Sequence, residues 1–277
     1  MGVRDRLGIH SDPPLAAIPA TLEAAGVCVF QTCLRDPRRL SREGIPSEDD
    51  QDAFRAAAGA EGTIWGIAHA SMLTSLGSTD PRIRNASASA LCGDAALAAS
   101  LGLSGVCFHV GYEKGHPDRA SALDAVARKL AQVVERLPNG ARVLLENGCE
   151  GTELGQTVEE VAAVVRAVGA APEQVGVVLD TCHLHVAGFD LAAEDGARRL
   201  VDAIEASAIA DRLVALHLND ARFACGSKRD RHATPGEGTI GAGLLRVMAE
   251  PLFAGLPAIL EVDAKDASRG LAYLRAG

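Results

Sequence analysis

Six histidine, aspartate or glutamate residues follow short apolar runs at nearly even intervals, and this spacing constrains the fold more than any other feature. The intervals are 34 to 44 residues long, and they separate His69, His109, Glu146, Asp180, His217 and Glu261. Eight units of one strand and one helix need about 250 residues, and they close into a barrel whose strand ends meet at one mouth. The spacing therefore predicts a (β/α)8 TIM barrel, an α/β fold, with six potential metal ligands at its mouth.

Apolar strand-like runs and alanine-rich helical stretches alternate along the whole chain. The predicted strands are residues 7–9, 27–30, 63–68, 105–108, 141–145, 175–179, 213–216 and 258–260. The predicted helices are residues 15–26, 50–59, 80–101, 118–137, 157–168, 194–206, 243–248 and 266–275. No linker divides the pattern, so we predict one TIM-barrel domain over residues 1–277. The longest loop, residues 219–241, follows the seventh strand, and long loops in compact domains are usually functional.

Two further clusters extend the set of potential ligands. Asp180 and His183 stand three residues apart on a predicted loop directly after the sixth strand. Asp230 and His232 stand two apart in the long loop, and side chains at that spacing in extended chain point the same way. Nine ligands exceed the four of a structural zinc site, which favours two or three ions that share bridging carboxylates. Imidazole and carboxylate ligands without cysteine favour zinc or manganese.

Composition sets limits on location and partners. The net charge of −9 and the pI near 5.4 are not typical of a nucleic-acid binder, which usually carries a basic surface. The seven cysteines include no Cys-x-x-Cys pair, which favours reduced thiols in a cytoplasmic protein. Residues 1–6 lack the apolar stretch of a signal peptide, and no apolar run approaches the ~20 residues of a membrane span. We therefore expect no membrane partner.

Several motifs resemble those of the endonuclease IV family of apurinic/apyrimidinic DNA-repair enzymes, and the resemblance runs over nearly the whole chain. The matching motifs are LEN at 145–147, LDTCH at 179–183, AGFD at 187–190, HLND at 217–220, GSKRDRH at 226–232 and GEGTIG at 236–241. The resemblance implies a barrel with three zinc ions at its mouth. It also implies a monomer that acts on abasic duplex DNA in base excision repair.

The resemblance assigns each ligand to an ion. His69, His109 and Glu146 would bind the first ion, and His183, Asp230 and His232 the third. The second would be bound by Glu146, Asp180, His217 and Glu261, with Glu146 bridging. Water activated between two zinc ions can attack phosphorus, and Glu261 or Glu146 would orient it as the catalytic carboxylate. The family cuts the phosphodiester 5′ to the abasic site and leaves a 3′-hydroxyl and a 5′-deoxyribose phosphate.

The loops that read DNA in this family are altered here. Met72 precedes Leu73 where the family has a tyrosine before leucine, and Val110 and Val262 follow two of the ligands in place of proline and threonine. We expect Met72 and Leu73 to fill the space of a displaced nucleotide, and His10 to lie near the site. The expected phosphate contacts are Arg35, Arg38 and Arg39 in the second loop and Arg222, Lys228, Arg229 and Arg231 in the seventh.

Two other functions remain open at this point. One is a metal-dependent phosphoesterase for a small phosphorylated sugar or nucleotide. The other is a sugar isomerase or epimerase on a related xylose-isomerase-like barrel. Those barrels use two metals or fewer, so nothing in them would require Asp230 and His232 to complete a third site.

Overall fold

Eight parallel strands close into a barrel in the computed structural model, which describes residues 6–12, 14–61 and 64–277. This confirms the predicted TIM barrel. The barrel strands are β1 (Leu7–His10), β2 (Val29–Cys33), β3 (Trp65–His69), β4 (Val106–His109), β5 (Val143–Glu146), β6 (Val175–Asp180), β7 (Leu213–His217) and β10 (Ala258–Leu260). A two-stranded antiparallel ribbon of β8 (Asp220–Ala221) and β9 (His232–Ala233) lies between β7 and β10 in sequence. The barrel closes where β1 pairs with β10.

Helices surround the barrel, and several begin at a side chain that caps the helix. Asp80, Asp118, Thr157 and Asp263 each accept a backbone N–H of the first turn, which satisfies a donor that the helix itself leaves free. The helices are α1 (Ile18–Ala25), α2 (Glu48–Glu61), α3 (Pro81–Ser100), α4 (Arg119–Val134), α5 (Val158–Val168), α6 (Thr181–Ala187), α7 (Gly196–Ala206), α8 (Gly243–Ala249) and α9 (Ala264–Ala276).

The apolar core has two parts, and the smaller one explains where the site lies. A large cluster fills the space between the strands and the helices. A second cluster contains one buried layer of strand residues: Val29, Ile67, Cys107, Leu144, Val178, Ala215 and Ile259, together with Val214. Six of these residues precede a predicted metal ligand by two positions. Since side chains two apart on a strand share a face, the ligands form the next layer toward the mouth.

Three local predictions need correction. The second strand is Val29–Cys33 rather than residues 27–30, because the polar residues Gln31 and Thr32 continue the pairing with β3. His183 does not lie on a loop but in the first turn of α6. The long seventh loop contains the ribbon β8–β9. The predicted start of the third strand, Thr63, lies outside the described residues.

None of the helices in the described ranges is long and apolar enough to cross a membrane.

Candidate metal centre

The nine potential ligands of the sequence analysis form one connected cluster at the mouth. Five of them end consecutive strands β3 to β7, and Glu261 directly follows β10. His183 is placed by α6, which begins where the Asp180 carboxylate caps the backbone N–H of His183 at 2.7 Å. The ribbon β8–β9 brings His232 to the same place. Every ligand therefore stands on or directly after a strand, a helix or a paired ribbon, except Asp230, which shortly precedes the ribbon's second strand.

Glu146 lies at the centre of the cluster and is almost fully buried. Its Oε2 atom is 3.1 Å from Nε2 of His69 and 3.5 Å from Nε2 of His109. Its Oε1 atom is 2.9 Å from Nδ1 of His217, and that same nitrogen is 3.2 Å from Oε2 of Glu261. One carboxylate thus faces two groups of imidazoles with its two oxygens, which is the arrangement that a bridging ligand requires.

A third group of potential ligands lies beside those that surround Glu146. Nε2 of His183 is 3.4 Å from Asp230 Oδ2, and Nε2 of His232 is 3.3 Å from Asp230 Oδ1 and 3.6 Å from Asp180 Oδ2. Both Nε2 atoms are buried and have no hydrogen-bond partner among the described residues. Buried polar atoms are rarely left without a partner, so these two nitrogens fit a cation.

Hydrogen bonds on the opposite ring nitrogens fix how the histidines face the centre. Nδ1 of His69, His183 and His232 donates to a backbone carbonyl, those of Ala70, Asn147 and Glu261 respectively. Nδ1 of His109 lies 2.8 Å from the Glu153 carboxylate, and Nε2 of His217 lies 2.7 Å from Oε1 of Gln31. Each ring therefore directs its other nitrogen at a ligand carboxylate. Metal-binding histidines are held by such bonds, so the residues present fit divalent cations.

The cluster is rich in carboxylates, and the pKa values reflect this. Burial disfavours the imidazolium of His217, but Glu261 and Glu146 outweigh it and raise the pKa to about 9. Burial likewise opposes protonation of His232, yet Asp180, Asp230 and Glu261 raise its pKa to about 9. Burial disfavours the Glu261 carboxylate, whereas His217 and other imidazoles lower its pKa to about 2. The site thus attracts positive charge, either as protons or as divalent cations.

Two amide residues that were not predicted as site residues, Gln31 and Asn219, hydrogen-bond to potential ligands of the centre. Gln31 is fully buried, and its Nε2 donates to Glu261 Oε1 at 2.5 Å while its Oε1 faces His217. Asn219 donates from Nδ2 to Asp180 Oδ2 at 2.6 Å and to Glu261 Oε2 at 2.9 Å. Asn219 stands two residues after a predicted ligand in the HLND motif, so its place near the site could have been predicted from the sequence. The position of Gln31 could not, because the predicted second strand ends one residue before it.

Most of the predicted substrate-binding residues lie around the same mouth. His10 and Met72 line a cavity of about 250 Å³ together with seven of the nine ligands. Met72 and Leu73 are 71% and 52% exposed, although both are large and apolar. Arg38 is exposed and follows Pro37, which also lines the cavity. The seventh loop also carries Arg222, Lys228, Arg229 and Arg231, and the guanidinium of Arg229 lies 3.6 Å from the centre of the Phe223 ring.

The expectation that Arg35 contacts DNA is corrected by the structure. Its guanidinium is buried and pairs with the Asp94 carboxylate at 2.6 Å. It also donates to the backbone carbonyls of Leu40 and Ser41. These bonds attach the second loop to α3, so the side chain is not available to a phosphate. Arg39 is exposed but paired with Asp36 and Glu43. Arg38, in contrast, has no ion pair in the described part of the chain.

The chain resembles known proteins in sequence and in fold. Residues 19–277 match the family model described as a xylose isomerase-like TIM barrel. A probable endonuclease 4 of Chlorobium luteolum is 35% identical over 265 residues, which cover 94% of this chain and 95% of that protein. The probable endonuclease 4 of Campylobacter concisus is 30% identical over 261 residues, which cover 92% and 91%.

Solved structures agree with this similarity. The crystal structure of endonuclease IV from Thermus thermophilus superimposes with a TM-score of 0.83 at 29% identity and covers 98% of both chains. A D-tagatose 3-epimerase-like protein superimposes with a TM-score of 0.75 at 18% identity, over 98% of this chain and 96% of that one. The second likeness shows a shared fold only.

Proposed function

We propose, from the premise that the chain belongs to the endonuclease IV family of xylose isomerase-like TIM barrels, that it is a metal-dependent endonuclease of DNA repair. Its reaction would be hydrolysis of the phosphodiester 5′ to an abasic site in duplex DNA, as in base excision repair. The observation that supports this most is the third group of ligands, in which two buried imidazole nitrogens without partners in the described ranges face Asp230. We further infer that the chain acts as a monomer of one domain.

The proposed ligand sets follow the three groups of contacts. His69, His109 and Glu146 would hold one ion, and His183, Asp230 and His232 another. Between them, Glu146, Asp180, His217 and Glu261 would hold the ion that shares Glu146. The donor set of imidazoles and carboxylates suits zinc, with manganese as the second choice.

Bound divalent metals supply Lewis acidity, which lowers the pKa of a water molecule and stabilises charge on phosphoryl oxygens. The chain contributes the placement of the reacting groups. Glu261 is the better candidate to orient the attacking water, because its side chain is 16% exposed at the mouth whereas Glu146 is 1% exposed. The low pKa of Glu261 keeps it ionised at neutral pH, and Asn219 and Gln31 hold both of its oxygens.

The charge of the site also suits a phosphodiester. Without metal, imidazoles such as His217 and His232, whose pKa values are raised to about 9, would be protonated and would offset the negative charge of the carboxylates. Bound divalent ions would displace these protons and would leave neutral imidazoles beside four carboxylates, those of Glu146, Asp180, Asp230 and Glu261. Two divalent ions would neutralise them, and a third would leave net positive charge at the mouth. Three ions are therefore consistent with an anionic substrate, and a small neutral sugar would not need the third.

The surface around the mouth would hold the DNA. Met72 and Leu73 are exposed apolar side chains beside the centre, and they would occupy the space of the displaced abasic nucleotide. Arg38 and the cations of the seventh loop would contact phosphates. His10, which hydrogen-bonds Asp12 at 2.9 Å and lies 3.2 Å from Gln31, would contact the substrate near the second ion.

The test is cleavage of a duplex with one tetrahydrofuran abasic analogue by the zinc-loaded protein. We expect a single incision 5′ to the analogue that leaves a 3′-hydroxyl, and loss of the activity on chelation. Glu261→Gln keeps the shape of the side chain but removes its charge, so we expect the rate to fall at least ~10²-fold.

A matched control is Glu237→Gln, which removes one carboxylate of the seventh loop that pairs with Arg269 on the surface. It should cut at the wild-type rate. If fully metallated wild-type protein leaves the abasic duplex intact but hydrolyses a small phosphoester, the phosphoesterase alternative replaces this proposal.

A further inference from the structure

A cationic groove lies between α3 and α4, away from the metal ligands. It encloses about 550 Å³ and is bounded by Arg84 and Asn85 of α3, by Arg128, Lys129 and Gln132 of α4, and by two loops that include Ser78 and His116. None of the residues lining it in the described ranges is acidic. The chain as a whole carries a charge of −9, so this concentration of cations is not typical of its surface.

Two of these cations are held by neutral groups instead of carboxylates. The Lys129 ammonium donates to Asn85 Oδ1 at 2.9 Å and to Gln132 Oε1 at 3.2 Å. Arg84 donates from Nη1 to the Ser78 carbonyl at 2.6 Å. Neither has a carboxylate within salt-bridge distance in the part of the chain that the structure describes. Their positive charge is therefore not compensated locally, in contrast to Arg128, which pairs with Asp124.

The hydrogen bonds of Arg84 and Lys129 leave N–H donors, rather than acceptors, unused in the groove. An ammonium has three donors and a guanidinium five, so Lys129 keeps one and Arg84 several. Because Lys129 takes the oxygens of Asn85 and Gln132, the amide groups of both residues keep N–H donors. His116 Nε2 donates to the Gly77 carbonyl at 2.6 Å. A groove that offers charge and several donors fits an oxyanion such as a phosphoryl group.

The position of the groove indicates which phosphoryl group would reach it. Residues 77–79 belong to the same loop, between β3 and α3, as the exposed Met72 and Leu73. His116 belongs to the next loop, between β4 and α4. Both loops leave the barrel at the mouth. A DNA strand bound at the mouth can therefore extend past Met72 and Leu73 toward the groove.

We propose that the groove between α3 and α4 binds a phosphoryl group, and that in the substrate complex this group is a backbone phosphate of DNA that extends beyond the mouth. The assignment to DNA rests on the proposed function, whereas phosphoryl binding itself does not. The groove adds a contact remote from the scissile bond, so it sets affinity and the length of DNA covered.

The test compares wild type with Arg84→Gln/Lys129→Gln. Binding is measured by fluorescence anisotropy on the zinc-loaded protein, with an abasic-analogue duplex whose scissile linkage is a hydrolysis-resistant phosphorothioate. We expect about tenfold weaker binding at low salt and a salt dependence whose slope falls by about one, since one phosphate contact is lost. Arg198→Gln/Arg199→Gln on α7 removes the same charge from another face and should change neither quantity. Thermal melting of both double variants checks folding.

Duplexes shortened by one base pair at a time locate the contact. Wild type should lose affinity at one step of the series, and Arg84→Gln/Lys129→Gln should show no loss at that step. If the double variant binds all duplexes as tightly as wild type, the assignment to the DNA backbone is overturned.

A second arm titrates inorganic phosphate and follows the melting temperature. Phosphate should stabilise wild type and Arg198→Gln/Arg199→Gln more than it stabilises Arg84→Gln/Lys129→Gln. If phosphate stabilises Arg84→Gln/Lys129→Gln less than wild type while both bind DNA equally well, the groove binds a free phosphorylated molecule instead of DNA. Equal stabilisation and equal DNA binding would overturn the site altogether. A wild-type protein that binds DNA but cuts nothing would refute the proposed function and leave these comparisons valid.

Discussion

Single residues of the proposed centre would contribute unequally to metal binding, because Glu146 belongs to two of the ligand groups and Asp230 to one. We predict that Asp230→Ala loses about one of three bound zinc ions, since His183 and His232 alone form an incomplete ligand set. Glu146→Ala should disturb two ions. Zinc per chain is measured by elemental analysis after gel filtration. A wild-type protein that holds a single tight ion would contradict the trinuclear centre.

Gln31 would act on a bound metal through its neighbours, because its amide hydrogen-bonds to both His217 and Glu261. We predict that Gln31→Leu weakens one zinc ion by about 10- to 100-fold, as expected for the loss of a group that orients ligands. Competition with a chromogenic chelator measures the affinities.

Thr32→Val is the matched control for Gln31→Leu. Thr32 is the next residue of β2, is equally buried, and its hydroxyl has no hydrogen-bond partner in the described ranges. The Thr32→Val variant should bind zinc with the affinities of wild type. Equal zinc affinities in Gln31→Leu and wild type would show that Gln31 does not position the ligands.

At the scale of elements, the second loop contains two arginines with different roles. Arg35→Ala leaves Asp94 buried and unpaired, so we predict a loss of about 3 to 5 kcal/mol in the free energy of unfolding. Arg38→Ala should leave stability unchanged within about 0.5 kcal/mol, weaken duplex binding and lower its salt slope by about one. Urea unfolding and anisotropy measure the two effects. Duplex binding by Arg38→Ala at the wild-type level at every salt concentration would exclude this loop from DNA contact.

How far the sequence determines the elements depends on the range of the contacts involved. The six strand ends were predictable because each ligand follows an apolar run, and the pleat alone places it one layer above a core residue such as Ile67 or Val178. The buried ion pair of Arg35 was not predictable, because its partner Asp94 stands 59 positions away on α3. The helix α6 was missed because Thr181–Ala187 follows β6 without any turn residue, and Asp180 serves as both strand end and helix cap.

On the scale of the whole molecule, metal ions at the proposed centre would tie separate parts of the barrel together. The ligands come from β3 to β7, from α6, from the seventh loop and from the residue after β10. Ligands that bind only the folded state stabilise it by RT ln(1 + [L]/Kd), or about 2.7 kcal/mol at one hundred times Kd. We predict that chelation lowers the melting temperature by at least about 5 °C. A melting curve that chelation leaves unchanged would show that the ions do not contribute to stability.

The pairing of β1 with β10 also has a consequence for how the protein is made. Glu261 directly follows β10, the last barrel strand in the sequence, and β10 can pair with β1 and β7 only after the other barrel strands have been synthesised. Most of the proposed ligands, including Glu146, Asp180 and His217, are therefore synthesised before the Glu261 carboxylate. A metal ion bound at that stage would lack the Glu261 carboxylate. The order of translation would thus delay completion of the proposed metal centre until the barrel is closed.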